Sequence, residues 1–237
     1  MPRKKQILMR IKKQLFSNPT DCLISLIILS LISWSTITTA NWLLNIARWN
    51  VVTDNISLYT FGSYPEEQLW RPLLWLIALI ILVIITIISP KYLHIRKSIS
   101  LLWIAIVPLG LILLAGGFGL QTIPSRNWGG VILTLILTLS SFAIALPLGI
   151  ALAIGRQSKL HLIKQICGSY IDLMRSIPLI AVLFFGQLLI PMFLPMGLEV
   201  NRVFRAILAF GLFASAYIAE DIRCGFQSIP NTQIEAA

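Results

Sequence analysis

The chain has 237 residues, of which 57% are hydrophobic and only 12% charged, with a formal net charge of +10. Soluble domains carry about twice that share of charged residues, and the basic residues here are scattered through short connectors, which argues against a nucleic-acid surface. The three cysteines, Cys22, Cys167 and Cys224, lie far apart without CxxC or Cys/His spacing, so neither a disulfide framework nor a zinc site is indicated.

Six stretches are apolar enough to cross a bilayer, at roughly 22–47, 72–89, 99–115, 130–154, 174–195 and 203–219. A span needs about 20 mostly apolar residues, because the hydrocarbon core is about 30 Å thick. Backbone groups in lipid must be satisfied within the segment, so the spans are helices. The fold class that follows is all-α, a polytopic helical membrane protein.

The first span is the least apolar, since "SWSTITTANW" (33–42) interrupts it with hydroxyls that can bond back to helix carbonyls. Its basic lead-in is long and lacks a clear A-x-A site, which favours a retained span over a cleaved signal peptide. "GGFG" (116–119) ends the third span; no Lys-Ser/Thr follows, so it reads as a helix stop and not a phosphate cradle. The fifth span holds Pro178, Gly186, Gln187, Pro191 and Pro195. Proline removes a helix hydrogen bond, so this span bends or breaks. It is either a kinked packing helix or a wall of a polar pathway, for which Pro178, Gln187 and Pro191 are the candidate residues. The sixth span sets Gly211, Ser215 and Ala219 four apart, a small-residue face suited to close helix packing, with no obvious later partner for it in the chain.

The connectors alternate in charge. Fourteen of the 19 Lys and Arg residues fall in one set (the N-terminus, 91–97, 156–175 and Arg223) and five in the other: Arg48, Arg71, Arg126, Arg202 and Arg205. Basic excess marks cytoplasmic connectors, so both termini are expected in the cytoplasm and an outer loop at about 48–71, with Asp54, Glu66 and Glu67, on the other side. His94 and His161 fall in basic connectors and read as solvated loop residues.

None of the nine acidic residues lies in the middle of a span, and no Ser/His/Asp set, intramembrane carboxylate pair or metal spacing is present. No catalytic, metal or cofactor site is therefore expected. Asp172 and Arg175 are three apart, share a helix face and can pair. Glu220, Asp221 and Arg223 cluster where the sixth span ends and read as anchors. The last ten residues, "SIPNTQIEAA", open a helix: Thr232 to Glu235 fits a capping box.

Four segments in order, "NWGGVILTLILT" (127–138), "ALPLGIALAIGRQS" (145–158), "YIDLMRSIPLI" (170–180) and "AYIAEDIRCGFQSIPNTQIEAA" (216–237), resemble the permease subunits of polar-amino-acid ABC transporters. The three spans and loop before them resemble, in layout, the general amino-acid permeases of that group. The resemblance implies an N-terminal region, 1–126, and an ABC permease transmembrane domain, 127–237. Arg175, Ser176, Tyr217 and Glu220 stand at family-motif positions. Glu235, Ala236 and Ala237 match the loop that docks the ATPase. A second permease subunit, identical or different, cytoplasmic ATPases and a periplasmic amino-acid-binding protein are the implied partners; the bacterial inner membrane is the implied location, and no cofactor is implied. Ser176 and Cys224 replace glycines common in the family, at places where a bend is expected. The family also continues through a Gly and one more helix after the docking motif. On that ground the permease-like fold is expected to be cut short and uncoupled as it stands. The alternative to a transport subunit is an inactive remnant or a membrane scaffold.

Overall fold

A computed structural model describes residues 18–88, 95–195 and 200–228, with backbone only at 95–97. Thr232, Glu235, Ala236 and Ala237, hence the capping box and the expected docking motif, lie outside the described residues. Among the described residues the chain is helical, with one isolated bridge between Gly117 and Leu120. It divides into two compact units, one ending at Asn55 and the other starting at Ile56.

The first unit is built on α1, Pro19–Asn41, which runs on into a π turn, Trp42–Ile46. Pro19 opens the helix, where its missing N–H costs nothing. Within 33–42 one hydroxyl bonds back, Thr36 donating to the Ile32 carbonyl at 2.7 Å, and Ser30 ahead of it donates to that of Ile27 at 2.8 Å. The Trp49 indole donates to the Leu43 carbonyl at 2.8 Å, just ahead of the short α2, Asn50–Asp54.

The second unit contains α3 (Ile56–Phe61), α4 (Trp70–Ile88), α5 (Ile95–Ala115), α6 (Gly130–Arg156), α7 (His161–Ser176), α8 (Leu179–Phe184), a π turn (Phe185–Leu189), α9 (Ile190–Phe193) and α10 (Arg202–Gln227). Trp75 of α4 is fully buried, and its indole donates to the Ile106 carbonyl of α5 at 2.9 Å. The glycine stop after α5 is as expected. Gly116 takes φ +84°, a left-handed value open to glycine at little cost.

Among the described residues five helices are long and apolar enough to span a bilayer, and a sixth candidate is a bent pair, His161–Ser176 with Leu179–Phe193, turned by 105°. Here the structure corrects the expected fifth span, 174–195. The chain before it, read as a connector, is the amphipathic helix α7. Lys164, Asp172 and Arg175 interrupt its apolar character, which is why hydropathy alone passes it over. Ile177 precedes a proline and is extended (φ −95°, ψ 137°), and Pro178 caps the next helix. The clash between a proline ring and a helical predecessor ends α7 there. Pro178 therefore sits at a corner and does not kink a continuous helix. The sixth helix also runs past the expected 219 to Gln227, so Cys224 lies within a helix and not at a bend.

The small face of α10 packs on an earlier helix, α6. A Cβ on Gly211 would come within 3.1 Å of the Ile144 Cβ, and one on Gly149 within 2.9 Å of the Ile218 Cβ. Ser215 is fully buried, and Ser141 donates to the Ile207 carbonyl at 3.2 Å. Small residues on both helices let the two backbones approach, and this pair is the frame on which α7 and α8–α9 are hung.

Candidate functional site

Two adjoining cavities lie between α6, α8–α9 and α10, of about 490 and 520 Å³. Leu137 and Phe210 line both, so the two cavities meet at these side chains. The first cavity carries its polar groups at one end: Ser125, Gln187 and Arg202, beside Trp128. The second is lined by Thr134, Thr138 and Ser141, which recur at i, i+4 and i+7 along α6, together with Phe142 of the same helix and Phe213 of α10. The threonines donate to the carbonyls one turn back, at 3.2 Å for Thr134 and 2.8 Å for Thr138. Each hydroxyl oxygen still has capacity to accept. The groove is thus apolar-walled with a sparse polar track, the composition of a small-molecule path. A third cavity, of about 450 Å³, lies against Leu173, Ile177 and Phe185 and is apolar throughout.

Of the three residues proposed from sequence for a pathway, Gln187 lines the first cavity, whereas Pro178 and Pro191 line none of these three cavities. The Gln187 amide donates to the Arg202 carbonyl at 2.8 Å. Pro191 cannot donate to the carbonyl four residues back, which belongs to Gln187. The Arg205 guanidinium donates to that oxygen instead, at 3.0 Å. The carbonyl that Pro191 cannot serve is thus satisfied within the protein. Arg205 and the hydroxyl track were not singled out from sequence, although the i, i+4, i+7 spacing of Thr134, Thr138 and Ser141 was there to be read.

Toward the other end of α10 the structure gathers charges from three helices. Arg156, the last residue of α6, pairs with Asp172 of α7 at 3.0 Å and with Glu220 of α10 at 3.5 Å. Arg175 of α7 reaches Glu220 at 3.4 Å, and Arg223 reaches it at 2.9 Å. The expected Asp172–Arg175 pair does not form. Each binds a partner on another helix, because α7 presents its polar edge to the ends of α6 and α10. The Arg175 guanidinium also lies 5.9 Å from the centre of the Tyr217 ring. Three of the four family-motif positions, Arg175, Tyr217 and Glu220, therefore meet at one point, while Ser176 bonds locally to the Leu173 carbonyl at 2.8 Å. Beneath the charges, Ile171, Ala153 and Ala219 form a closed apolar contact.

A several-span helical protein of this kind belongs to the class of polytopic membrane proteins. The chain is 34% identical over 248 residues to the inner membrane amino-acid ABC transporter permease protein YhdY of Escherichia coli K12, an alignment covering 96% of this chain and 66% of that protein. It is 41% identical over 118 residues to the glutamate/glutamine/aspartate/asparagine transport system permease protein BztC of Rhodobacter capsulatus, covering 50% of this chain and 27% of that one. It is also 36% identical over 113 residues to the glutamate/aspartate import permease protein GltK of Escherichia coli O6:H1, covering 46% and 50%. No protein-family model matches the chain. No solved structure matches it. Such identity over nearly all of the chain shows common descent: the chain belongs to the amino-acid ABC transporter permeases.

Proposed function

We propose that the chain is a transmembrane permease subunit of an ATP-driven amino-acid importer in a bacterial inner membrane, and that its groove forms part of the translocation path. The observation that carries this is the alignment of 96% of the chain with an amino-acid permease. The groove between α6, α8–α9 and α10 supports it, being large enough for an amino acid and polar only along one track. Relatives named for glutamate, aspartate and their amides favour a polar amino acid as the solute. Arg202 and Gln187 at one end of the groove suit a carboxylate.

In this reading a binding protein delivers the solute on the outer side, a second permease subunit completes the path, and cytoplasmic ATPases drive it. Glu235, Ala236 and Ala237 dock the ATPase. Residues 1–126 form an N-terminal region and 127–237 the permease domain. The fourteen-to-five division of basic residues supports cytoplasmic termini. Uptake of labelled polar amino acids, measured in cells with and without the gene beside its binding protein, second permease and ATPase, tests the proposal. Loss of uptake on deletion, restored by the gene, is expected. Equal uptake in both strains overturns it.

A further inference from the structure

Glu220 is 14% exposed and pairs with three guanidinium groups: Arg156 and Arg175 at one oxygen, Arg223 at the other. The three arginines are more exposed, 21% to 40%. An isolated pair of that exposure contributes little, but several charges sharing one shielded carboxylate form a network whose members depend on it. Removing the carboxylate leaves three cations close together with only Asp172 among them, and like charges in a shielded place repel.

The position of this hub matters more than its strength. Arg175 lies two residues before Ile177, where the chain turns by 105° into the groove-lining stretch Leu179–Phe193. Arg156 ends α6, the opposite wall. Glu220 itself is on α10, the third wall, and lies fifteen residues before Glu235 in the sequence. The Tyr170 hydroxyl, donating to the Leu212 carbonyl at 3.0 Å, and the buried Ile171 seat the middle of α7. Its last turn carries Arg175, which reaches Glu220 at 3.4 Å and the Tyr217 ring at 5.9 Å, beside Leu173 and Met174 on an apolar cavity that α10 also lines.

We infer that Glu220 is a positioning residue: it fastens the last turn of α7 to α6 and α10, fixes the angle of the corner at Pro178, and so lets a displacement of the end of α10 move the groove wall as one body. This rests on the transport reading above. A wall that swings freely at its corner would dissipate such a displacement, whereas a rigid junction transmits it.

The test uses the complete transporter. With Glu220→Gln, amino acid taken up per ATP hydrolysed should fall about fivefold or more, the scale of a lost coupling interaction. Glu220→Asp, which keeps the carboxylate, should recover much of it. Arg175→Met, a change at the exposed rim, should also lower the ratio, and adding it to Glu220→Gln should cause little further loss. Spin labels at Gly168→Cys and Gly225→Cys, where a Cβ meets nothing within 4 Å, report the α7–α10 distance in a background with the native cysteines replaced by alanine. That distance distribution should broaden in Glu220→Gln. An unchanged distribution with an unchanged ratio, or equal losses in the Asp and Gln variants, overturns the inference. If the unsubstituted transporter takes up no amino acid, the transport reading fails, while the distance measurement still decides whether Glu220 holds the corner.

Discussion

The Arg205 side chain of α10 donates to the Gln187 carbonyl at 3.0 Å, the oxygen that Pro191 leaves without its helix partner. A proline four residues on creates the vacancy, and an arginine on the neighbouring helix fills it. Arg205→Met should therefore unfold more readily, by about 1–3 kcal/mol for a lost hydrogen bond to a charged donor. Thermal unfolding in detergent measures it. A variant as stable as the parent would show that the contact contributes nothing.

Gln187 and Leu183 line the same cavity, but only Gln187 ties the wall to the start of α10, through the Arg202 carbonyl. In the complete transporter Gln187→Ala should reduce uptake more than Leu183→Ala. Equal, small effects would favour a packing role for the whole stretch.

Gly211 and Gly225 are both on α10 and should respond oppositely to a methyl group. A Cβ at Gly211 meets the Ile144 side chain at 3.1 Å, while at Gly225 nothing stands within 4 Å. Gly225→Ala should stabilise by up to about 1 kcal/mol through helix propensity. Gly211→Val should cost about 1–3 kcal/mol by overpacking. The same unfolding assay reads both, and a tolerated valine at Gly211 would mean the α6–α10 contact is looser than described.

Tyr64 is buried, and its hydroxyl donates to the Leu114 carbonyl at 3.1 Å. Burial raises its pKa above the ordinary 10.0, against the opposing pull of the nearby Arg71 charge. A raised folded pKa means the contribution is complete below pH 10 and is lost as pH climbs through the higher folded value. Tyr64→Phe should cost about 0.5–1.5 kcal/mol at neutral pH, and the gap between the two proteins should shrink above pH 10. A gap constant across that window would refute the assignment.

For membrane orientation, a cysteine at Tyr59, an exposed position, in a protein without native cysteines should react with an impermeant thiol reagent applied from outside the inner membrane. Reaction only after that membrane is lysed would reverse the topology proposed from the basic residues.

Hydropathy made the long helices legible, because lipid imposes one length and one composition on them. The glycine stop at 116 and the small face of α10 were legible for equally local reasons. Helix α7 was not, since Lys164, Asp172 and Arg175 dilute its apolar content, and only its one-sided pattern betrays it. The charged junction was beyond reach. Helix-surface rules pair residues three or four apart, and so they linked Asp172 to the wrong arginine, while Glu220 and Arg223 were read only as a cluster of anchors. Arg156 and Asp172 are sixteen residues apart, and Arg175 and Glu220 forty-five. Arg205 was hidden in the same way, because its target is a backbone oxygen eighteen residues earlier.

The corner at Pro178 also sets a length. Helix α8, the π turn and α9 contain 6, 5 and 4 residues, fifteen in all, and at about 1.5 Å per residue they rise only about 22 Å. The hydrocarbon they would cross is about 30 Å thick. Crossing alone, a wall that short would draw the two aqueous phases toward each other, either by thinning the bilayer around it or by letting water reach below the headgroups. A polar solute moving along that wall would then give up its hydration over about three-quarters of the hydrocarbon thickness instead of all of it.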